Sequence, residues 1–461
     1  MTSGCTLRLP PVPGPAPPAP PPAPRVRAMW LSSPARFRAY AYKGTDASLV
    51  YKHALGPLAN LLIHAATPRW LAPNAITLAG LLVGLSSQAL LVATCTPSSI
   101  ASATCRAPSY LYAYDAIAVL AYQTLDNMDG KQARRTNTSS PLGLLLDHGA
   151  DALHAASGAI AASTVFQCTP WGLYAKFVCT VLPFYLATWE ESHVGSFALP
   201  VVNGPTEGLL MLALLKALTA VVGPEWWLAP APFVIVEPIT RTTLVSENRD
   251  VLVLVSVAAA AGTVVASLER VRVEACRGSA RELVSRAVDL APLLFALALP
   301  AAYLVLLPVD AQRGGVAHVP WGPTTALAFG ATGLCLCRLV AGMLVRHACG
   351  EAPLARSGVE RATDGGPMVA AVAFAAAALG AGAGVGGDVA RAWANGPVQT
   401  LVAVLFAWCA VGYASMVRSI IAEACDALGV RLLTIPSPKA PKYSARSPSP
   451  QRRARRAQKA A

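Results

Sequence analysis

The chain has 461 residues, of which 54% are hydrophobic and 13% charged, whereas ordinary soluble domains carry about 25% charged residues. This composition argues against a soluble protein and predicts a membrane protein. The net charge of +13 lies mainly in short loops and the C-terminal tail. No nucleic-acid recognition module accompanies it, so we attribute the charge to membrane topology and anionic lipid headgroups and expect no nucleic-acid partner.

The N-terminal residues 1–30 are rich in proline and alanine and are predicted to form a disordered tail, because proline lacks the amide donor that a helix needs. Residues 48–66 mix apolar side chains with one lysine and two histidines. That mixture is typical of an amphipathic helix in the membrane interface, with a short tilted span as the alternative. Residues 437–461 are predicted to form a second disordered tail, which is strongly basic.

Ten apolar blocks follow, each of about 18 to 25 residues and long enough to cross a bilayer core of ~30 Å. They are predicted at 74–95, 109–127, 143–167, 172–190, 206–222, 251–268, 287–307, 323–345, 367–385 and 398–418. Residues 226–240 are apolar but proline-rich, and we predict a loop at the membrane surface. The fold is therefore predicted to be an all-α polytopic membrane protein with about ten transmembrane helices and one interfacial helix. Residues 40–225 are expected to hold the catalytic helices, and 226–420 the remaining helices of the same domain.

The distribution of basic residues among the loops predicts the orientation of these spans in the membrane. With a cytosolic N-terminus, the cytosolic loops hold eleven basic residues and the opposite loops five. Cytosolic loops are the ones that collect Lys and Arg. Both termini are therefore predicted to be cytosolic, which requires an even number of spans. Of the eleven cysteines, only Cys95 and Cys105, near one luminal loop, are considered for a disulfide; the others are expected to be buried thiols.

Four aspartates lie at the ends of the second and third spans. Asp126 and Asp129 are three residues apart, and Asp147 and Asp151 are four apart. Both spacings place a pair on one helix face, so a hairpin closed by residues 130–142 lets the two faces meet. Ionised groups at membrane depth are costly and mark function.

Four converging carboxylates would repel one another, so cations must neutralise them. Oxygen ligands at this density suit Mg²⁺ or Mn²⁺, and two such ions can bridge a diphosphate. Gly130 and Gly143 allow a nucleotide to approach the backbone closely. One short loop would supply the positive charges that neutralise a diphosphate. They are Lys131, Arg134 and Arg135.

The arrangement D-x2-D-G-x2-A-R-x8-G-x3-D-x3-D resembles the signature of the CDP-alcohol phosphotransferase superfamily. DGKQARRTNTSSPLG and LDHGADAL resemble the eukaryotic choline/ethanolamine phosphotransferases. The similarity includes YKGTDASLV, APNAITLAG, TWEESH, NGPTEG and ALGVRLLTIP, and it spans roughly residues 40–436. From about 225 to 420 it consists mainly of hydropathy.

The resemblance implies transfer of phosphocholine or phosphoethanolamine from the CDP-alcohol to diacylglycerol, with release of CMP. By position it implies three metal ligands, Asp126, Asp129 and Asp147. It also makes Asp151 a further ligand or the general base. The CDP pocket would be shaped by Gly130, Ala133, Arg134 and Gly143. The resemblance also implies a homodimer in the endoplasmic reticulum or Golgi membrane.

The base that deprotonates the diacylglycerol hydroxyl has two candidates. Asp151 is one, but binding to a metal lowers the basicity of a carboxylate. His148 is the other, because an imidazole has a pKa near 6.5; its alternative role is to orient an aspartate.

Further polar residues face the same cytosolic side. Asn74 at the start of the first span either lines the nucleotide pocket or caps the helix. Glu190, Glu191 and Glu207 are candidates to contact cytidine or the cationic headgroup, with an ordinary interfacial charge as the alternative for Glu191. Trp189 either supports a quaternary ammonium by cation–π contact or anchors the helix at the interface.

Two other functions remain open at this point. The same metal chemistry could serve a different acceptor, inositol or glycerol phosphate, although the DGKQARRT context argues against it. An ion-coupled transporter would use intramembrane aspartates as an ion path. It would need them spread through the bundle, and it would not need the Gly and Arg positions. A catalytically inactive scaffold would not need every signature position filled.

Overall fold

The computed structural model describes residues 30–98, 105–238, 243–306, 323–351 and 397–435, which are overwhelmingly helical. The α-helices are α1 Pro34–Ala39, α2 Gly56–Ala65, α3 Pro73–Ser98, α4 Ser109–Thr136, α5 Pro141–Val165, α6 Pro170–Val194, α7 Leu209–Val222, α8 Asn248–Arg270, α9 Ala280–Ala287, α10 Ala291–Leu306, α11 Pro323–Ala348 and α12 Pro397–Leu428. The strands are β1 Gly44–Asp46, β2 Phe197–Leu199, β3 Pro230–Val236 and β4 Thr243–Glu247. Short π-helical turns at Tyr51–Leu55 and Gly204–Gly208 lead into α2 and α7.

Helices coincide with nine of the ten predicted spans; the remaining span, 367–385, lies outside the described residues. Six of the described helical segments are long and apolar enough to cross a membrane. They are Pro73–Cys95, Gly204–Val222, Asn248–Ala275, Ala280–Ala301, Thr324–Ala348 and Thr400–Leu428. Helices α4, α5 and α6 are of similar length, 25 to 28 residues. The all-α polytopic class is thus confirmed, while the count of about ten spans stays a prediction. Both predicted tails lie almost entirely outside the described residues.

The predicted surface loop at 226–240 is wrong. A 3₁₀ turn at Pro224–Leu228 is followed by strand β3, which pairs with β4 in an antiparallel hairpin. Prolines are tolerated in an edge strand, where a missing amide donor does not break a ladder. The β-branched run from Val234 to Val236 then favours an extended chain.

Small residues on α3 let α4 and α5 approach closely. A Cβ added at Gly80 would lie 3.2 Å from Leu125 Cβ on α4, and one at Gly84 would lie 2.5 Å from His154 Cδ2 on α5. Glycine at both positions therefore sets the distance between the helices that carry the acidic residues, as small residues do in membrane bundles.

An ion pair is buried where α4 and α7 meet. Lys216 Nζ lies 2.5 Å from Asp115 Oδ2, and both side chains are 0% exposed. Ser87 Oγ on α3 donates a hydrogen bond to Asp115 Oδ1 at 2.8 Å. The carboxylate thus connects three helices, and neither of its oxygens is left without a partner.

The end of α3 is covalently joined to the segment that precedes α4. Cys95 and Cys105 form a disulfide with their Cα atoms 5.0 Å apart, which is the pair that the sequence singled out. Both cysteines are buried beside Phe166 and Trp227. The bond closes the connection at the end of α3 opposite to Pro73.

Candidate active site

The acidic residues are positioned by the α4–α5 hairpin. Helix α4 ends where Asn137 adopts a left-handed conformation with φ of 58°, which asparagine tolerates better than most residues. Helix α5 begins at Pro141, and the Ser140 side chain accepts a hydrogen bond from the Gly143 amide. The expected loop at 130–142 is therefore mostly helix, since α4 continues to Thr136 and α5 begins at Pro141.

Three of the four predicted ligands converge. Oxygen atoms of Asp126, Asp129 and Asp147 lie within 4.8 Å of one another. Asp129 is 7% exposed and accepts a hydrogen bond from Thr77 Oγ1 at 2.5 Å. The buried Asp147 Oδ1 has no hydrogen-bond partner among the described residues. Clustered carboxylate oxygens, one of them unpartnered, fit a hard divalent cation such as Mg²⁺ or Mn²⁺.

Asp151 lies one turn further along α5 and has a partner of its own. The Tyr122 hydroxyl donates to Asp151 Oδ1 at 2.5 Å. The Tyr122 ring stacks on His154, with centroids 3.7 Å apart and planes inclined by 6°. The orientation of Asp151 is thus fixed by a tyrosine that is itself packed between α3 and α5.

The basic residues next to the cluster separate into different environments. Arg134 is exposed, and its Nη1 would lie 3.4 Å from a Cβ added at Gly130. Lys131 Nζ lies 5.4 Å from the centroid of the Tyr51 ring. By contrast, Arg135 Nη1 donates to two backbone carbonyls near the end of α2. Arg134 and Lys131 are therefore available to an anion, whereas Arg135 is engaged in holding α2 against α4.

His148 follows Asp147 and is 7% exposed. Its Nδ1 lies 3.8 Å from Asp147 Oδ2, which is too far for a hydrogen bond. The imidazole makes T-shaped contacts with Tyr42 and Phe197. It thus lies between the acidic cluster and two aromatic rings.

The other predicted binding residues all have structural contacts. Asn74 Nδ2 donates to Leu432 O at 2.8 Å, and a Cβ added at Gly143 would lie 3.6 Å from Asn74 Oδ1. The half-buried Ala133 accepts the Thr138 amide at 2.9 Å, at the C-terminal end of α4.

The glutamates are engaged in different ways. Glu190 pairs with Arg270. Glu207 accepts hydrogen bonds from Ser48 Oγ and from the Asn203 amide, so it ties the start of α7 to the N-terminal segment. The nucleotide-binding roles of these residues stay predictions.

Sequence reasoning missed the contribution of the N-terminal segment. Strand β1 pairs in parallel with β2, which brings Tyr42 over His148. Burial, followed by the carboxylate of Glu191, raises the pKa of Tyr42 above its ordinary value, so this phenol stays protonated. Tyr122 and Thr77 were also missed. Tyr122 is one helical turn before Asp126 on α4, and this spacing is the only sequence signal for its role. Thr77 is on α3, and its contact with Asp129 has no signal in the local sequence.

Comparison with known proteins agrees with this geometry. Residues 70–259 match the family model of the CDP-alcohol phosphatidyltransferases. The chain is 40% identical over 196 residues to choline/ethanolaminephosphotransferase 1 of Arabidopsis thaliana, covering 42% of this chain and 48% of the relative. It is 40% identical over 169 residues to cholinephosphotransferase 1 of Xenopus laevis (36% and 40%). It is 35% identical over 189 residues to choline/ethanolaminephosphotransferase 1 of Saccharomyces cerevisiae (41% and 47%). Each match therefore spans less than half the length of the relative.

Proposed function

We propose that this chain, whose residues 70–259 match the CDP-alcohol phosphatidyltransferase family model, transfers phosphocholine or phosphoethanolamine from a CDP-alcohol to diacylglycerol and releases CMP. The observation that carries the proposal is the convergence of Asp126, Asp129 and Asp147 within 4.8 Å on the helices that contain the family signature. The names of the plant, yeast and frog relatives support the choice of headgroup and acceptor.

The residues present can hold Mg²⁺ or Mn²⁺. Asp126, Asp129 and Asp147 would be the ligands, with Asp151 as the fourth for a site of two ions. When bound, the ions supply charge neutralisation of the diphosphate and of the departing CMP. Arg134 adds a further positive charge next to Gly130, where the absence of a side chain leaves room for the nucleotide.

We assign the general base to His148. Its ring lies next to Asp147 and against two aromatic side chains, and an imidazole is the side chain best suited to accept a proton near neutral pH. Asp151 already accepts the Tyr122 hydroxyl, which makes it a weaker acceptor. The diacylglycerol hydroxyl loses its proton to His148, and its oxygen forms the bond to the phosphorus that carries the headgroup. The bond from that phosphorus to the CMP oxygen breaks.

The site is proposed to face the cytosol, with both termini on the same side, in the endoplasmic reticulum or Golgi membrane. The excess of basic residues in the predicted cytosolic loops supports this orientation. The apolar helices support a multi-pass protein. A homodimer is part of the proposal and follows from the family resemblance alone.

Two other functions differ in what they require of the aspartates. An enzyme with inositol or glycerol phosphate as acceptor would use the same metal site, so only substrate tests separate it. A transporter would need titratable groups along a path. Asp115 is buried in the bundle, but Lys216 neutralises it, and the other membrane-proximal aspartates named here gather at one hairpin.

The decisive experiment measures CMP release by membranes that contain the full chain, supplied with diacylglycerol, Mg²⁺ or Mn²⁺, and each CDP-alcohol in turn. We expect release with CDP-choline or CDP-ethanolamine, and none with Asp147→Ala. Absence of CMP release from every CDP-alcohol would overturn the proposal. Release that depends on inositol or glycerol phosphate in place of diacylglycerol would favour the alternative acceptor.

Substitution of His148 tests its assignment as the general base. His148→Ala is expected to abolish turnover, because it removes the imidazole next to Asp147 that is proposed to take the proton, while CDP binding persists. Thermal stabilisation of the purified variant by CDP and Mg²⁺ measures that binding. Turnover at the wild-type rate would remove His148 from the mechanism.

A further inference from the structure

Three aromatic rings form a cluster beside the acidic residues, and the proposed chemistry leaves two of them without a role. The ring centroids of Tyr42 and His148 lie 5.8 Å apart, those of His148 and Phe197 5.7 Å, and those of Tyr42 and Phe197 6.4 Å. The rings come from the N-terminal segment, α5 and β2. Tyr42 is 42% exposed, so the cluster is accessible to a ligand.

The backbone holds this cluster in place. In the parallel pairing of β1 with β2, Gly44 lies opposite Phe197, and the Phe197 amide donates to Lys43 O at 2.8 Å. A Cβ added at Gly44 would lie 2.5 Å from Tyr42 Cε1. Only glycine at position 44 therefore lets the Tyr42 ring fold back over the strand, which makes the aromatic cluster a built feature and not a chance contact.

A buried carboxylate accompanies the rings. Glu191 is 2% exposed, and its Oε1 accepts a hydrogen bond from the Tyr40 hydroxyl at 3.2 Å. Its Oε2 has no hydrogen-bond partner among the described residues. Tyr40, which donates to Glu191, is two residues before Tyr42 in the chain. Burial and then the Glu191 carboxylate raise the pKa of Tyr42, which agrees with a position of Glu191 near this ring. An unpartnered carboxylate oxygen in a buried position is costly, so a cationic ligand would stabilise it.

We propose that Tyr42, Phe197, His148 and Glu191 form the pocket for the cationic end of the CDP-alcohol, and that this pocket favours a quaternary ammonium over a primary one. A quaternary ammonium donates no hydrogen bonds and is stabilised by aromatic faces and a nearby carboxylate. A primary ammonium has three donors to satisfy; Glu191 Oε2 can accept one of them, whereas the faces of the three rings offer no oxygen acceptor for the others. This inference rests on the proposed function and adds the substrate preference to it.

Trp189, the aromatic residue that the sequence put forward for this role, is not available to a ligand. Its side chain is 0% exposed and packs against His193, with ring centroids 5.0 Å apart. The headgroup pocket is therefore assigned to rings from the N-terminal segment and β2, next to Asp147.

The test compares the full-length purified variants Phe197→Leu and Glu191→Gln with the wild type, using KM for CDP-choline and CDP-ethanolamine and direct binding of CDP. Phe197→Leu is expected to raise KM for CDP-choline by about tenfold, the range of one desolvated cation–π contact, and KM for CDP-ethanolamine less. Glu191→Gln is expected to raise both, while CDP, which lacks the cation, binds as before. The matched controls Phe233→Leu and Glu225→Gln change an exposed ring and an exposed carboxylate and should change neither KM.

The outcomes are separable. If the wild type shows no CDP-alcohol-dependent release of CMP, the proposed function itself fails. If the wild type is active but the two pocket variants keep the wild-type KM values, only the headgroup pocket is overturned. Should Phe197→Leu fail to fold, Tyr42→Leu and Glu191→Gln decide. Tyr42→Leu removes a ring of the pocket and should raise KM for CDP-choline more than KM for CDP-ethanolamine, and Glu191→Gln should raise both. Wild-type KM values in both variants refute the assignment.

Discussion

Replacing Lys216 by methionine leaves the carboxylate of Asp115 buried without its counter-charge. Both side chains are 0% exposed and their charged atoms lie 2.5 Å apart, so water cannot screen the lost charge. Removing one partner of such a pair costs about 3–5 kcal/mol. A chain of this size loses about 1–2 °C of Tm per kcal/mol when the entropy of unfolding is scaled with length. The expected decrease is therefore about 3–10 °C.

Thermal unfolding of the purified protein in detergent measures this decrease. The double variant Asp115→Asn/Lys216→Met removes both charges and keeps an acceptor for Ser87, so it should recover most of the lost Tm, since replacing both members of a buried pair is often close to neutral. Arg106→Met is the matched control. Its pair with Glu225 is 70% and 52% exposed, and such pairs contribute about 0–1 kcal/mol. An unchanged Tm for Lys216→Met, or a double variant no more stable than the single one, would refute the reasoning.

Three other changes test the site. Gly84→Ala places a Cβ 2.5 Å from His154 Cδ2 and should lower the free energy of unfolding by about 1–3 kcal/mol, which is measured as a decrease in Tm. In the control Gly149→Ala, the added Cβ would meet nothing within 4 Å, so Tm should not change. Tyr122→Phe keeps the stacked ring but removes the hydrogen bond to Asp151, so kcat should fall by roughly tenfold or more while KM is maintained; an unaltered kcat contradicts a role for that bond. Chelation of divalent ions should abolish activity and lower Tm, because a bound ion stabilises the native state and its removal restores the repulsion among the carboxylates. Added Mn²⁺ should restore both activity and Tm. A chelated enzyme that stays fully active would exclude the metal site.

The acidic cluster could be predicted because its members depend on local helical periodicity. Spacings of three and four residues fix which face Asp126, Asp129, Asp147 and Asp151 share, and one short turn brings the two helices together. Three of these residues converge as expected, and the fourth lies one turn away with a tyrosine partner.

The rest of the site depends on contacts distant in sequence. Tyr42 reaches His148 through a pairing of three residues between β1 and β2, which lie about 150 residues apart; no periodicity encodes such a pairing. Arg135 is the neighbour of Arg134 in sequence, yet its side chain points in a different direction from α4 and donates to carbonyl groups near the end of α2. The β3–β4 hairpin was missed because prolines in an apolar run are compatible with a loop as well as with an edge strand.

Helix α3 has chemically different surroundings at its two ends. Thr77, near its start, contacts the acidic cluster, and Cys95, near its other end, is disulfide-bonded. Eighteen residues of α-helix separate them, a rise of about 27 Å, close to the ~30 Å thickness of a bilayer core. A disulfide persists in an oxidising compartment, whereas cytosolic thiols are kept reduced. The helix is therefore long enough to place Thr77 and Cys95 at opposite faces of a bilayer core, so the redox state of the Cys95–Cys105 pair in cells would test on which side the acidic cluster lies.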